Sequence, residues 1–313
     1  MARRALGAAT LAVVQAVDAL PEAGWLVACS GGADSLALAW AAHHVAGRRG
    51  TPVRALVVDH GLQPGSDALA AAVVERLEAF GLAAEVAGVT VRDAGEGVEA
   101  AARRARYAAL EASARPGECV LLGHTLDDQA ETVLLGLARG SGVLSLAGMA
   151  PDRGPHRRPL LGLGREVTAA ACAELGLQPW ADPMNHDRRF ARVRVREVVL
   201  PVLERELGPG VRDALARTAR QNRDAAHVLG LVAEATEPAL RDDCAHLATL
   251  APALRRLTLR AWLTGVGASD VSAGHVSAVE RLVTDWHGQR GVDVAGGRVS
   301  RGQGRLMWTP HPR

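Results

Sequence analysis

The chain is 313 residues long and 48% hydrophobic, ample for one large domain and a smaller one. It lacks any apolar run near the ~20 residues of a membrane span, so a soluble globular protein is expected. Its four cysteines, Cys29, Cys119, Cys172 and Cys244, show no CxxC spacing, which argues against a zinc, iron–sulfur or disulfide framework; all 36 basic residues are arginine, which excludes covalent mechanisms that run through a lysine. The net charge of +2 hides a segregation, with +6 in residues 188–223, +4 in residues 281–313 and −8 elsewhere. Such a division suits a phosphate-backbone footprint, although a charge run is more often a solvated helix face.

From the N-terminus, MARRALGAATLAVVQAVDAL has the basic pair and apolar stretch of a signal peptide, but Gln15 and Asp18 interrupt the run. The spacing of Leu6, Val13, Val14, Val17 and Leu20 predicts an amphipathic helix instead, and a cytoplasmic location with it. Residues 24–40, GWLVACSGGADSLALAW, read as strand, tight loop and helix. Two adjacent glycines permit positive φ and close approach of a ligand, and the N–H groups of the loop and first helical turn converge on a spot that suits phosphate. Ser30 and Ser35 add hydroxyls, and Asp34 offers a carboxylate to a metal ion bridging phosphates. The loop has no Walker A lysine. Its plainer reading is a turn whose Ser30 or Asp34 caps the helix.

Strand and helix then alternate. Residues 52–59 form a continuous apolar strand ending in Asp59 and His60, 66–80 a helix capped by Ser66, and 82–91 a third strand. A long alanine-rich helix over 97–114 carries Arg103, Arg104, Arg106 and Tyr107, and 118–123 is a fourth strand leading to His124 and a helix over 127–139. This is the pattern of a doubly wound, mainly parallel α/β domain, in which ligands sit beyond the carboxyl ends of the strands. The loop at 30–35, Asp59 with His60, and Gly123 with His124 all fall there, although each histidine reads equally well as a packing residue. Asp128 and Glu131, three apart, share a helix face; ordinary acid enrichment in a first helical turn explains them as well.

Residues 139–155 are a glycine- and proline-rich connection, 167–175 a helix and 180–187 a polar loop. Leu200 and Pro201 are expected to close a helix, Gly208, Pro209 and Gly210 to punctuate, and 211–235 to form another helix. The remainder, with helices near 250–263 and 272–286, is mainly helical and ends in a hairpin turned by Gly296 and Gly297.

SGGADS at 30–35 resembles the pyrophosphate loop of the N-type ATP pyrophosphatases. With VDHGLQPGS at 58–66, EAAARRARY at 99–107, GHTLDDQAET at 123–132, RPLL at 158–161 and the tract 182–201, it resembles tRNA(Ile)-lysidine synthetase in the family's own order. The resemblance implies an adenine nucleotide α-hydrolase-like catalytic domain over 1–210 and a smaller, mainly helical tRNA-binding domain over 211–313. It implies that ATP sits on Ser30, Gly31, Gly32, Ala33, Asp34 and Ser35 with His60 and His124, that Asp34 holds Mg2+, and that Asp128 and Glu131 receive free L-lysine. The residues it marks as catalytic are Asp34, Arg106, Asp128 and Glu131. It lays a tRNA(Ile) with a CAU anticodon on Arg103, Arg106, Arg158, Arg188, Arg189, Arg192, Arg194 and Arg196. The RPLL segment should lead a further strand towards the site. One departure is Val193, where many relatives carry asparagine between the arginines, so no side-chain amide acts there.

The implied reaction adenylylates the wobble cytidine and then replaces AMP by lysine. Two rival readings stay open, another pyrophosphatase of this superfamily (a tRNA thiolase or an amidating synthetase) and a non-catalytic ATP-binding regulator. Absent paired cysteines count against the thiolase, and no glutaminase-like domain is visible for the amidating enzyme. The oligomeric state is open, a homodimer among the options.

Overall fold

The computed structural model describes residues 5–92, 95, 97–140, 142–180, 187–235, 237–268 and 271–311. Most of the loop expected over 180–187, including the start of the 182–201 tract, lies outside them. The chain divides into two compact units, one comprising the residues up to Leu135 with Gly148–Ala219, the other Gly136–Ala147 with the residues from Arg220 on.

The first unit is built on a six-stranded sheet in the order β3-β2-β1-β4-β6-β5, with β1 Gly24–Ala28, β2 Val53–Asp59, β3 Ala84–Gly88, β4 Glu118–Leu122, β5 Asp152–Arg153 and β6 His156–Arg157. All pairings are parallel except the short β5–β6 pair. The central strands are apolar at successive residues because both faces of the sheet are covered. Trp25, Val27, Ala55, Val57 and Leu121 pack on one face, with α1 Ala8–Asp18, α2 Ala33–Arg49, α3 Ser66–Ala79 and α7 Arg165–Leu175. Leu26, Leu56, Val120 and Leu122 turn to the other, against Leu110 of α4 Val98–Ser113. This is the two-residue alternation of a strand. At the edge, β3 leaves Glu85 and Val86 exposed.

The order of strands reverses between β1 and β4, which run in register from Gly24 opposite Glu118 to Ala28 opposite Leu122. A crevice at their carboxyl ends is the expected ligand position in such a sheet. The loop after β1 and the start of α5 Leu126–Ala138 after β4 both open there.

Several local expectations are corrected. Ser66 is the first residue of α3 and not its cap; Gly65, at φ 77°, caps it. Pro201 does not close a helix but lies in the first turn of α9 Leu200–Leu207, continuous with α8 Ala191–Arg194 through a π-helical turn at Val195–Val199. Proline has no N–H for the carbonyl four residues back, and the widened turn just before it accommodates that loss. RPLL is a 3-10 turn at Pro159–Gly162, and the added strand, β6, precedes it. The connection over 139–155 contains α6 Val143–Leu146 and β5.

The second unit includes the later part of α10 Val211–Glu234, then α11 Cys244–Thr249, α12 Pro252–Gly265 and α13 Ala273–Thr284. Its core joins Leu247, Leu259, Leu263, Val279 and Leu282 to Val294, Val299 and Leu306. The expected hairpin is a three-stranded antiparallel sheet of β7 Val292–Val294, β8 Gly297–Gly302 and β9 Arg305–Pro310. Gly297 belongs to β8, and a second turn at Gln303 and Gly304, φ 51° and 78°, has the positive φ pair that tight hairpin turns require. The short helix α11 was not expected from the sequence. Among the described residues no helix is long and apolar enough to cross a membrane.

Candidate active site

The loop between β1 and α2 is shaped by its glycines. Gly31 adopts φ 83°, and a Cβ there would meet Val73 Cγ2 at 2.5 Å, so only glycine fits. Gly32 is the N-cap of α2 and brings no side-chain hydrogen bond to it. The first-turn N–H groups are therefore not capped by Ser30 or Asp34, and the capping explanation of this string fails. A Cβ on Gly32 would approach only Ser30 Oγ, at 3.9 Å, leaving room over the helix end for phosphate oxygens. Ser35 organises the loop from inside: its hydroxyl donates to the Gly32 carbonyl at 3.0 Å and accepts from Ser30 N at 3.2 Å. Gly123 lets β4 end against the helix, since a Cβ would lie 3.1 Å from the Asp34 carbonyl oxygen. The Cys172 thiol donates to the Ala33 carbonyl at 3.4 Å, and all four cysteines are free.

Three expected carboxylates meet through one side chain, Arg165, that lies outside every motif named above. Arg165 reaches Asp34 Oδ2 through Nε at 3.3 Å, Asp128 Oδ1 through Nη2 at 2.9 Å and Glu131 Oε1 through Nη1 at 3.6 Å. Its own backbone N–H donates to Asp127 Oδ2 at 2.8 Å, fixing the start of α7. Asp34 also accepts from the Thr168 hydroxyl. Glu131, fully buried, is clasped by Arg196 with Nε at 2.7 Å and Nη2 at 3.1 Å, and Arg192 Nε stands 3.9 Å away. Asp128 divides its two oxygens: Oδ2 accepts the Thr125 N–H and hydroxyl at 2.9 and 3.1 Å, a capping arrangement for α5, while Oδ1 faces Arg165 and Arg196.

The electrostatics differ between these acids. Burial raises the Asp34 carboxyl above its usual range, more than the Thr168 hydrogen bond and Arg165 lower it. Burial opposes charge on Asp128 as well, but Arg165 and the Thr125 N–H outweigh it and hold that carboxyl below its usual range. Burial works against the Arg165 guanidinium too, and Asp128, Asp34 and Glu131 together reverse that and raise it.

Around this group lie buried polar atoms without hydrogen-bond partners among the described residues: His60 Nδ1, His124 Nδ1, Arg106 Nε and Arg158 Nε. Burial lowers the Arg106 guanidinium, with Arg103 and Arg192 adding to the effect. The same desolvation lowers His60, and it lowers His124 to about 3, so both imidazoles are neutral at pH 7. An incompletely countered cation and two neutral imidazoles at the strand ends form a donor set suited to an anionic, base-bearing ligand.

The expected RNA-facing arginines separate into two sets. Arg103 is exposed and lies over the Tyr107 ring at 4.9 Å; Arg188 and Arg189 are exposed, paired to Glu197 at 3.1 Å and Asp187 at 2.6 Å. Arg194 donates to the carbonyls of Arg188 and Arg189, both at 2.7 Å. Arg158 is buried, bonded to the Ala150 carbonyl at 2.8 Å and the Tyr107 hydroxyl at 3.3 Å. Arg192 and Arg196 turn inward to Thr132 and Glu131, so the tract is not one outward-facing strip. Val193 is buried.

Among the described residues no group of three or more His, Cys, Asp or Glu side chains is arranged to hold a metal ion unaided. A cation on Asp34 must then take most of its ligands from phosphate oxygens and water, as magnesium on nucleotides does. The Asp34 side chain, 22% exposed, is open enough for that.

Residues 8–203 match the PP-loop domain family, and residues 243–307 match the TilS substrate binding domain. The tRNA(Ile)-lysidine synthase of Leifsonia xyli subsp. xyli is 48% identical over 93% of this chain and 91% of its own length. That of Mycolicibacterium paratuberculosis is 54% identical over 86% and 83%. The chain belongs to the tRNA(Ile)-lysidine synthase family. In fold it is also like the U34-tRNA thiolase of Methanococcus maripaludis, with a TM-score of 0.55 and 17% identity over 69% of this chain and 78% of that one; a likeness at that identity speaks to fold alone. Within the synthase family, a PP-loop domain means ATP use.

Arg165 lies just before the helix expected over 167–175, whereas α7 starts at Arg165; Thr168, inside that stretch, belongs to no sequence motif. An arginine in a first helical turn opposes the macrodipole, and that anomaly marks it as held by something else.

Proposed function

We infer that this chain is a tRNA(Ile)-lysidine synthase that adenylylates the wobble cytidine of a CAU-anticodon tRNA(Ile) and then couples free L-lysine to it. The observation that carries the reading is the meeting of Asp34, from the nucleotide loop, with Asp128 and Glu131 of α5 around one guanidinium. A nucleotide subsite and a cation-accepting subsite thus adjoin, as a reaction between an adenylylated base and an amine requires.

In the first step the cytidine C2 oxygen attacks the α-phosphorus of ATP, a P–O bond to the β-phosphate breaks and pyrophosphate leaves. The loop N–H groups and the end of α2 bind the phosphates, and Arg106 faces the charge that develops near the α-phosphorus. Mg2+ on Asp34 supplies neutralisation of that charge when bound. In the second step the lysine ε-amine attacks C2, and AMP departs with the former C2 oxygen. The amine must be neutral, against a solution pKa of ~10.4, and its proton passes to Asp128 or Glu131. The neutral imidazoles of His60 and His124 contact the base-bearing part of the substrates. Arg103, Arg188 and Arg189 meet the RNA backbone, and the reaction takes place in the cytoplasm.

Two substitutions test the reading. Asp34→Asn should abolish pyrophosphate release while leaving tRNA affinity within about twofold, because this carboxylate acts on phosphate charge and not on the RNA footprint. Substantial residual turnover would reduce Asp34 to a scaffold residue. Replacing Glu131 by glutamine should raise the Michaelis constant for lysine far more than that for ATP, and an equal rise in both would sink the lysine assignment.

A further inference from the structure

The acid group is not an open anionic pocket. Asp34, Asp128 and Glu131 are joined by the three nitrogens of the Arg165 guanidinium, and Arg196 contacts both oxygens of Glu131 and lies 3.6 Å from Asp128 Oδ1. Any second cation at Asp128 and Glu131 must compete with Arg165. The backbone beneath that side chain is fixed, since its N–H is held by Asp127. The Arg165 side chain is 29% exposed, and its side-chain bonds offer other staggered positions once the carboxylate contacts break.

We propose that Arg165 is an interlock: while it bridges Asp34 to Asp128 and Glu131 it keeps the amine subsite closed, and loading the nucleotide subsite releases it. The proposal rests on the reading of Asp128 and Glu131 as the lysine subsite and adds to it an order of binding. Asp34 would exchange its Arg165 Nε contact for a divalent cation brought with the nucleotide, whose charge would disfavour the neighbouring guanidinium. Because the planar fork moves as one body, Nη1 and Nη2 then leave Glu131 and Asp128 together. Those carboxylates lose a counter-ion as the nucleotide arrives, and an ammonium group can take its place. Lysine is thereby admitted chiefly to an enzyme that already holds nucleotide. Arg165 acts through the carboxylates and is a positioning residue.

The test is titration calorimetry of L-lysine into the full chain, with and without Mg2+ and α,β-methylene-ATP, which cannot release pyrophosphate. The wild-type chain should bind lysine at least about tenfold more tightly with nucleotide, a size typical of coupled sites. Arg165→Gln should bind lysine with the same affinity in both conditions, within about twofold, at the tight value. Asp34→Asn, which leaves the guanidinium on Asp128 and Glu131, should stay at the weak value in both. Thermal melts establish that each variant is folded, and either variant alone is decisive. A wild-type chain indifferent to nucleotide, or a folded variant that keeps the wild-type dependence, overturns the interlock and leaves the lysine subsite standing. No lysine binding in any form, with α,β-methylene-ATP still bound, overturns the subsite and the interlock together.

Discussion

At Gly31 the backbone sits at φ 83° with Val73 Cγ2 only 2.5 Å from where a Cβ would be. Gly31→Ala should therefore cost about 1–3 kcal/mol of stability and weaken ATP binding more than tRNA binding, because the strain falls on the phosphate loop. Thermal denaturation with and without α,β-methylene-ATP measures both effects. A second residue-scale prediction concerns Glu131, which has no solvent contact. Arg196→Ala should destabilise the fold by at most about 3 kcal/mol, the low end for opening a buried pair, because Arg165 and Arg192 remain 3.6 and 3.9 Å away. Urea titration reports it. A third concerns pH. Burial lowers His124 from 6.5 to about 3, so the unfolded chain takes up its proton first as pH falls, and folded-state stability declines from about pH 6.5 down towards 3. His124→Gln should flatten that decline between pH 7 and 5 in urea midpoints, and an unchanged slope would mean that the imidazole titrates as in water.

At the scale of elements, the central strands were legible because burial on both faces writes itself as unbroken apolar runs, as in Trp25–Leu26–Val27 and Val120–Leu121–Leu122. The SGGADS string was legible because few loops combine two glycines, two hydroxyls and an acid. Other features depend on partners distant in the chain. Arg165 is defined by Asp34 and Asp128, 131 and 37 residues away, and no local pattern carries that. Pro201 misled because its missing hydrogen bond is absorbed by a π turn, which has no sequence signature of its own. The arginine tract looked uniform in sequence, yet only the structure separates Arg192 and Arg196, held inward, from Arg188 and Arg189. This alters what substitution should do. Arg188→Ala with Arg189→Ala should lower the slope of log K for tRNA against log salt by about 1 to 2, since each phosphate contact contributes roughly 0.7 to 0.9. Arg196→Ala should leave that slope unchanged. Fluorescence titration of tRNA across a salt series distinguishes the two, and a reversed pattern would turn the tract around.

For the whole molecule, a mainly parallel sheet places the glycine loop after β1 beside the acid-bearing helix α5, and a second unit carries the match to a TilS substrate binding domain. Buried Glu280, paired with Arg255 at 2.9 Å and Arg256 at 2.7 Å, and a compact apolar core give that unit its own internal framework. The central claim is that the chain joins lysine to tRNA(Ile) at the expense of ATP. The most direct measurement is incorporation of radiolabelled L-lysine into a CAU-anticodon tRNA(Ile) transcript, with AMP and pyrophosphate counted in the same reaction and tRNA(Met) as the comparison. The expected result is one lysine, one AMP and one pyrophosphate per tRNA(Ile) modified, strict dependence on ATP, and no incorporation into tRNA(Met). Nucleotide cleavage that proceeds at the same rate without lysine and leaves no label on the RNA would contradict it.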